Sequence, residues 1–260
     1  MARFCPLFSS SSGNCIYIGN GSTNILIDAG VSAKKISEEL SGMGIGTDDI
    51  SAIFVTHEHS DHISGLWGTA KKGIPVFAST KTVETLRSAD GKVSTLNYNV
   101  ADGETDIDGI TVQRFATSHD CDGSSGYKIT LPSGMRICIC TDTGVVTPEI
   151  RDAITGCDVV MLESNHDINM LANGFYQPYL KKRILSEKGH LSNTAAAEEL
   201  PELVGNGATR IVLGHLSKNN NTPELARETS IIRLAAAGFT EGEDFLLSVA
   251  SPENNPLMSF

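Results

Sequence analysis

The segment FVTHEHSDHISG constrains this chain more than any other stretch of its sequence. Within six positions, directly after an apolar run typical of a buried strand, it carries four residues of metal-ligand type: His57, His59, Asp61 and His62. Burying such polar groups without partners costs several kcal/mol, so a purely structural role is a poor explanation. Imidazole and carboxylate groups bind Zn²⁺, Mn²⁺ or Fe. We therefore predict a metal site where a strand ends and a helix begins.

The composition is that of an ordinary globular protein, with 260 residues, 40% hydrophobic and 20% charged. No apolar run approaches the roughly 20 residues of a membrane helix, and the N-terminus lacks the long apolar segment of a secretory signal. The six cysteines include no CxxC pair, so we interpret them as small core residues and not as zinc ligands or a disulfide framework. We predict a cytoplasmic protein that does not contact membranes.

Strand signals dominate the first half of the chain, and strands alternate with helices in the second. An Asn-Gly pair at 20–21 predicts a hairpin, and Thr222-Pro223 predicts the start of a helix that ends at Gly238. No linker or low-complexity stretch separates the halves. We therefore predict a single domain over residues 1–260, built from two sheets covered by helices.

The histidine cluster and four later segments together resemble the metallo-β-lactamase-fold hydrolases, and they occur in the family's order. These segments are NILIDAG, FATSHD, CTDTG and IVLGHLS, and they supply Asp28, His119, Asp142 and His215. The resemblance implies an α/β (α+β) fold, a four-layer αββα sandwich with metals at the edge between two sheets.

The same resemblance implies two divalent metal ions, which could be Zn, Mn or Fe, and a metal-bound hydroxide as nucleophile. It assigns the first metal to His57, His59 and His119, the second to Asp61, His62 and His215, and the bridging position to Asp142. Asp61 is also implied to take part in catalysis. Asp28 is implied to orient a ligand imidazole, the alternative being a turn cap before Ala29-Gly30.

Further segments narrow the resemblance to the YycJ/WalJ-type subfamily: SSSSGN, VVMLESNHD, RILSEKGHLSN and GHLSKNNNTPELA. That likeness implies a metal-dependent 5′-to-3′ exonuclease acting on DNA. The stretch NGFYQPYL departs from the aromatic, Pro-rich pattern expected there, which puts substrate contacts in doubt. The 73 residues from Asp142 to His215 leave no room for the large insertion of the RNA-processing nucleases of this fold.

The tetrapeptide Gly-His-Leu-Ser occurs twice, at 189–192 and 214–217, with different flanks. The second copy supplies His215 as a ligand. The first resembles the segment whose histidine contacts the scissile phosphate in related phosphodiesterases, so we predict a catalytic role for His190. A carboxylate partner would keep His190 protonated, and we predict that Glu163 is that partner. Alternatively, His190 is a structural residue at a helix start and Glu163 a surface carboxylate.

Other polar residues are weaker candidates for substrate binding: Asn165, His166, Ser217, Lys181, Lys182 and Arg183. The three cations follow Phe175, Tyr176 and Tyr179, a mixture that suits single-stranded or frayed DNA but also suits a packed loop. His166 could bind phosphate, hydrogen-bond Glu163 or be structural.

Three other functions are compatible with the sequence. A net charge of −11 argues against a broad nucleic-acid surface and favours a small cyclic or nucleotide phosphodiester as substrate. A thioester hydrolase similar to glyoxalase II would not need His190. A regulatory binding module with a structural metal site would have no hydrolase activity.

Overall fold

The computed structural model describes residues 1–260 and divides the chain into two compact units. The first unit contains Met1–Arg114, Cys121–Met135 and Ser251–Phe260, and the second contains Phe115–Asp120 and Arg136–Ala250. The prediction of a single domain stays a prediction. No helix of the chain is long and apolar enough to cross a membrane.

The first unit contains a seven-stranded sheet. In chain order its strands are β1 (Arg3–Phe8), β2 (Cys15–Gly19), β3 (Asn24–Ile27), β4 (Ala52–Phe54), β5 (Val76–Ala78), β6 (Tyr98–Val100) and β14 (Met258–Ser259). Their spatial order is β14-β1-β2-β3-β4-β5-β6. The pairs from β14 to β3 are antiparallel, and those from β3 to β6 are parallel. The predicted hairpin is confirmed, since β2 and β3 pair across a turn in which Gly21 has a φ of 96°.

The remaining elements of the first unit are four helices and three strands. They are α1 (Ala33–Gly42), α2 (Ser60–Ile63), α3 (Leu66–Ala70), α4 (Thr80–Ser88), β7 (Glu104–Ile107), β8 (Ile110–Ala116) and β9 (Ser125–Thr130). Strand β8 continues into the second unit with its last residues, and β7 pairs with it antiparallel. A buried core that includes Leu26, Ile53 and Val76 packs the sheet against its helices.

The second unit has four parallel strands, in the order β10 (Arg136–Cys140), β11 (Val159–Glu163), β12 (Arg210–Gly214) and β13 (Leu246–Val249). Its helices are α5 (Pro148–Ile154), α6 (Ile168–Asn173), α7 (Pro178–Ile184), α8 (Asn193–Gly205) and α9 (Pro223–Ala236). Thr222 caps α9 and Gly238 follows it with a φ of 91°, as predicted. The core includes Cys138, Leu162 and Leu213.

None of the six cysteines forms a disulfide, and five of them are buried. Cys138 and Cys140 lie in β10, in line with their interpretation as core residues.

A close backbone approach fixes the loop that carries the histidine cluster. The N–H of Asn14 donates to the carbonyl of Asp61 over 2.8 Å, and the N–H of Gly30 donates to the carbonyl of Asn14 over 2.7 Å. A Cβ at Gly30 would lie 1.7 Å from the Asp61 oxygen. Only glycine therefore allows the loops after β1 and β3 to meet the start of α2.

We expect Gly30→Ala to destabilise the protein by at least about 2 kcal/mol, because backbone must move to admit the methyl group. Gly42→Ala at the end of α1 is the matched control, since a Cβ there meets no atom within 4 Å. The control should be neutral or up to about 1 kcal/mol more stable. Urea unfolding of both variants measures the difference, and equal stabilities would contradict this account.

Candidate functional site

Within the first unit, the polar residues of interest follow two neighbouring parallel strands. Asp28 comes directly after β3, and the histidine segment begins after β4. Carboxyl ends of parallel strands meet at one edge of a sheet, which brings these side chains together. We call the following residues the first cluster: Asp28, His57, His59, Asp61 and His62. As predicted, the segment passes from strand to helix, with Asp61 and His62 in α2.

Asp28 orients the first cluster through three short contacts. Its Oδ1 accepts the backbone N–H of Thr56 over 2.8 Å, and its Oδ2 accepts the Thr56 hydroxyl over 2.9 Å. The same Oδ2 lies 2.7 Å from Nδ1 of His62. A carboxylate can only accept, so Nδ1 of His62 carries the proton, and the side-chain amide of Asn14, which donates to Nε2 over 3.2 Å, leaves that nitrogen its lone pair. Asp28 thus fixes the orientation of the His62 imidazole, while its predicted role of orienting a metal ligand stays a prediction.

The pair His57 and His59 has the geometry of a cation site. Oγ1 of Thr56 donates to Asp28, so it accepts from Nδ1 of His57, 3.1 Å away, and Nε2 of His57 keeps its lone pair. That nitrogen lies 3.0 Å from Nδ1 of His59. Two imidazole nitrogens so close need a proton or a metal ion between them. The donor set therefore fits a divalent metal.

Sequence reasoning missed two residues beside the predicted ligands, Asn14 and Thr56, and interpreted a third, Cys121, as a core residue. The side-chain amide of Asn14 lies 3.4 Å from Oδ2 of Asp61 and 3.2 Å from Nε2 of His62. Thr56 links Asp28 to both imidazoles, and Sγ of Cys121 lies within 4.8 Å of ligand atoms of His57 and His59. Asn14 ends the segment SSSSGN and Thr56 adjoins His57, but nothing in the residue pattern separates them from turn and strand residues.

In the second unit, three neighbouring parallel strands end in site residues. Asp142 follows β10, Glu163 is the last residue of β11, and His215 follows β12. Together with His190, they offer ligand-type atoms that all lie within 4.8 Å of one another. We call the following residues the second cluster: His119, Asp142, Glu163, His190 and His215.

Asp142 and His215 take up backbone conformations that are costly for residues other than glycine. Both have a φ of 56°, and Nδ1 of His215 lies 3.3 Å from Oδ2 of Asp142. Asp28 in the first cluster has a φ of 63°. Left-handed backbone at such residues costs of order 1–3 kcal/mol and concentrates at functional sites. Three of the five non-glycine residues with positive φ belong to the two clusters, which makes these positions candidates for a functional site.

Glu163 and His190 form a buried pair. The Nδ1 of His190 lies 2.8 Å from Oε1 of Glu163, which is fully buried and not a surface carboxylate. Burial would lower the pKa of His190, but the charge of Glu163, their hydrogen bond and the charge of Asp142 raise that pKa to about 9. His190 is therefore an imidazolium at neutral pH, as predicted from its expected partner.

His119 is held as a neutral imidazole. Burial, partly offset by the charge of Asp142, lowers its pKa. Its Nδ1 lies 3.1 Å from the carbonyl oxygen of Gly189, so that nitrogen carries the proton and Nε2 keeps the lone pair. Nε2 lies 3.8 Å from Oδ1 of Asp142. This tautomer is the one required of a metal ligand.

Asn165 links the two Gly-His-Leu-Ser segments. Its backbone N–H donates to the carbonyl of Leu191 and its carbonyl accepts from the N–H of Ser217, each over 2.8 Å. Its side-chain amide donates to the carbonyl of His215 over 2.9 Å. Oγ of Ser217 in turn accepts the N–H of Asn220 over 3.3 Å. These contacts position loops, while the predicted substrate contacts of Asn165 and Ser217 stay predictions.

His166 is buried and forms no side-chain hydrogen bond, so the predicted alternative of a bond to Glu163 is wrong. Burial lowers its pKa to about 4.

The three cations of the predicted basic run lie on α7, but they differ in their hydrogen-bond and ion-pair partners. Nζ of Lys181 donates to the carbonyl of Ala172 over 2.7 Å, and Arg183 forms an ion pair with Asp120. Lys182 is exposed and has no ion-pair or hydrogen-bond partner. Of the three cations, Lys182 is the one with no partner within the protein.

The comparisons with known proteins point to one family. The model of the β-lactamase superfamily domain matches residues 23–216. Exodeoxyribonuclease WalJ of Streptococcus pneumoniae serotype 2 is 37% identical over 256 residues, covering 96% of this chain and 95% of that protein. Exodeoxyribonuclease YycJ of Bacillus anthracis is 36% identical over 255 residues, covering 96% of each chain. The metallo-β-lactamase fold protein YhfI of Bacillus subtilis superposes with a TM-score of 0.73 at 13% identity, covering all of both chains.

We expect Glu163→Gln to lower the pKa of His190 from about 9 to below about 7, because the charge is lost while burial persists. Histidine NMR titration of the metal-free protein measures the pKa of His190.

Because the folded-state pKa of His190 is raised, its pair with Glu163 stabilises the fold fully below the usual histidine pKa, and this stabilisation is lost as pH rises through about 9. Glu187→Gln, an exposed neighbour, is the matched control. An unchanged His190 titration in Glu163→Gln would refute the pairing.

Proposed function

This chain belongs to the metallo-β-lactamase superfamily and, within it, to the WalJ/YycJ family, and we propose from this that it is a metal-dependent 5′-to-3′ exonuclease acting on DNA. Divalent metal ions are implied by the fold, and the relatives named exodeoxyribonuclease support a nucleic-acid substrate. The cytoplasmic location predicted from the sequence stays a prediction.

The observation that carries the proposal is the charged pair of Glu163 and His190 beside Asp142 and His215. Thioester hydrolysis has no need of an imidazolium at this position, whereas a phosphodiester has anionic oxygens to stabilise and an alkoxide to protonate. We infer that Glu163 holds the proton on Nδ1 of His190 and that Nε2 donates its proton to the leaving oxygen.

The ligands of the proposed metal ions are the seven residues identified in the sequence: His57, His59, Asp61, His62, His119, Asp142 and His215. Two ions bound by them would polarise the scissile bond and supply a nucleophile from water at neutral pH. The tautomers fixed at His57, His62 and His119 support this assignment, since each leaves Nε2 with its lone pair. Imidazole and carboxylate donors suit Zn²⁺, Mn²⁺ or Fe.

The activity is tested with Mn²⁺ and single-stranded DNA labelled at its 3′ end, with and without a 5′-phosphate. We expect mononucleotides released from the 5′ end and progressive shortening of the labelled strand. No release of nucleotide by protein with bound metal would refute the proposal. Turnover restricted to a small cyclic or nucleotide phosphodiester would instead establish that alternative.

We expect alanine substitutions of the two Gly-His-Leu-Ser histidines to differ in their effect on metal content. His190→Ala should lower kcat by about 10²–10⁴-fold while the metal content stays that of the wild type, because a proton donor is lost. His215→Ala should lower the metal content, because a ligand is lost. Metal analysis and DNA hydrolysis separate the two. A silent His190→Ala would instead favour thioester chemistry.

Asp28→Asn should lower metal affinity by about 10–100-fold without unfolding the protein. Asparagine tolerates the φ of 63° at this position, but its uncharged amide binds the Nδ1–H of His62 more weakly. Titration of metal into chelator-treated protein measures the affinity, and thermal unfolding serves as the folding control. Asp49→Asn, an exposed carboxylate in the same unit, should have no effect on metal affinity.

A further inference from the structure

Two aromatic side chains of the second unit, four residues apart in the sequence, lie on the surface, and the second of them shares a face of α7 with a cation. Phe175 is 76% exposed and Tyr179 is 75% exposed, and no other aromatic side chain of the chain is exposed to this degree. Tyr179 and Lys182 are three residues apart on α7, so they share one face of the helix. We call Phe175, Tyr179 and Lys182 the aromatic–basic patch.

The patch is held in place and does not belong to the core. Helix α7 buries Ile184 on the side away from the patch, and Pro178 starts the helix. The ring of Phe175 contacts that of Tyr176 with centroids 5.3 Å apart. The Tyr176 hydroxyl accepts a hydrogen bond from the amide of Asn219 over 2.9 Å. The exposure of both rings argues against the predicted alternative of a packed loop.

The end of α7 is fastened to the second cluster. The N–H of His190 donates to the carbonyl of Ile184 over 3.0 Å, so the chain turns directly from the helix to the catalytic pair. A Cβ at Gly189 would lie 2.1 Å from the Ile184 oxygen, so the turn admits only glycine. Arg183 forms its ion pair with Asp120, the residue after His119. The patch therefore has a fixed position relative to His119 and His190.

We propose that the aromatic–basic patch binds the single-stranded DNA substrate by stacking bases on Phe175 and Tyr179, while Lys182 contacts a phosphate. This inference rests on the proposed function and adds a binding site for nucleotides beyond the scissile bond. Stacking on aromatic rings accepts every base, which suits an enzyme that removes successive nucleotides. In a chain of net charge −11, a cation with no intramolecular partner is the complementary charge for a phosphate.

The test compares Phe175→Ala/Tyr179→Ala with the wild type in the metal-loaded protein. Two substrates are used, a 20-nucleotide single-stranded DNA and bis(p-nitrophenyl) phosphate, which is too small to extend beyond the scissile bond. We expect KM for the DNA to rise about tenfold with little change in kcat, because stacking is lost. Hydrolysis of the small phosphodiester should be unchanged. Tyr179→Phe should behave as the wild type, since it keeps the ring.

Matched surface controls are Ile232→Ala, which removes a 62% exposed apolar side chain from α9, and Lys34→Ala, which removes an exposed cation from α1. Lys182→Ala should make DNA binding less dependent on salt, and Lys34→Ala should not. An unchanged KM for DNA in the double variant overturns the inference, as does an equal loss on the small phosphodiester.

The inference and the proposed function fail in different ways. If the wild type cuts no DNA, the exonuclease proposal fails, and fluorescence anisotropy with the labelled 20-nucleotide strand then tests the patch alone. Binding weakened about tenfold in the double variant supports the patch as a single-strand site. Binding equal to that of the wild type overturns it.

Discussion

The buried carboxylate of Glu163 is the contact on which the second cluster depends. Its Oε2 accepts the N–H of Thr143 over 2.9 Å and that of Leu191 over 3.2 Å, while Oε1 binds His190. A buried charge with fewer partners would be strongly destabilising, so all three contacts are needed together. Through them Glu163 fixes the loop that holds Asp142 and sets the protonation of His190. One residue thus orders two loops and keeps the proposed proton donor, His190, charged.

The first cluster uses a carboxylate in a comparable way, although its chemistry differs. Asp28 accepts hydrogen bonds from Thr56 and from the Nδ1–H of His62, while the side-chain amide of Asn14 donates to Nε2, so that nitrogen keeps its lone pair. Glu163 also accepts from Nδ1 of its histidine and, together with Asp142, raises the pKa of His190 to about 9. Because both histidines have a carboxylate on Nδ1, the donor that faces Nε2 of His62 is what distinguishes the predicted ligand from the predicted proton donor.

Much of this arrangement could be predicted because the residues proposed as ligands follow apolar strands at recognisable spacings. The parallel strands β10, β11 and β12 bring Asp142, Glu163 and His215 to one edge of the sheet. Each of these residues ends or follows an apolar run in the sequence, so their proximity can be predicted from the order of the motifs. The roles of Asn14 and Thr56 could not be predicted, since they depend on loops distant in sequence that meet at Gly30. Short strands such as β6 and β7 cannot be predicted in this way, because partly exposed runs of three or four residues carry little hydrophobic pattern.

The two copies of the Gly-His-Leu-Ser tetrapeptide share a local turn but differ in the tertiary contacts of their histidines. In both copies the serine hydroxyl accepts a backbone N–H three residues later, from Ala195 in the first and Asn220 in the second. The histidines nevertheless differ, because Glu163 binds His190 while the φ of 56° at His215 aims that side chain at Asp142. Both copies of the tetrapeptide therefore form the same turn. The different contacts of the two histidines come from Glu163 at the end of β11 and from Asp142 directly after β10.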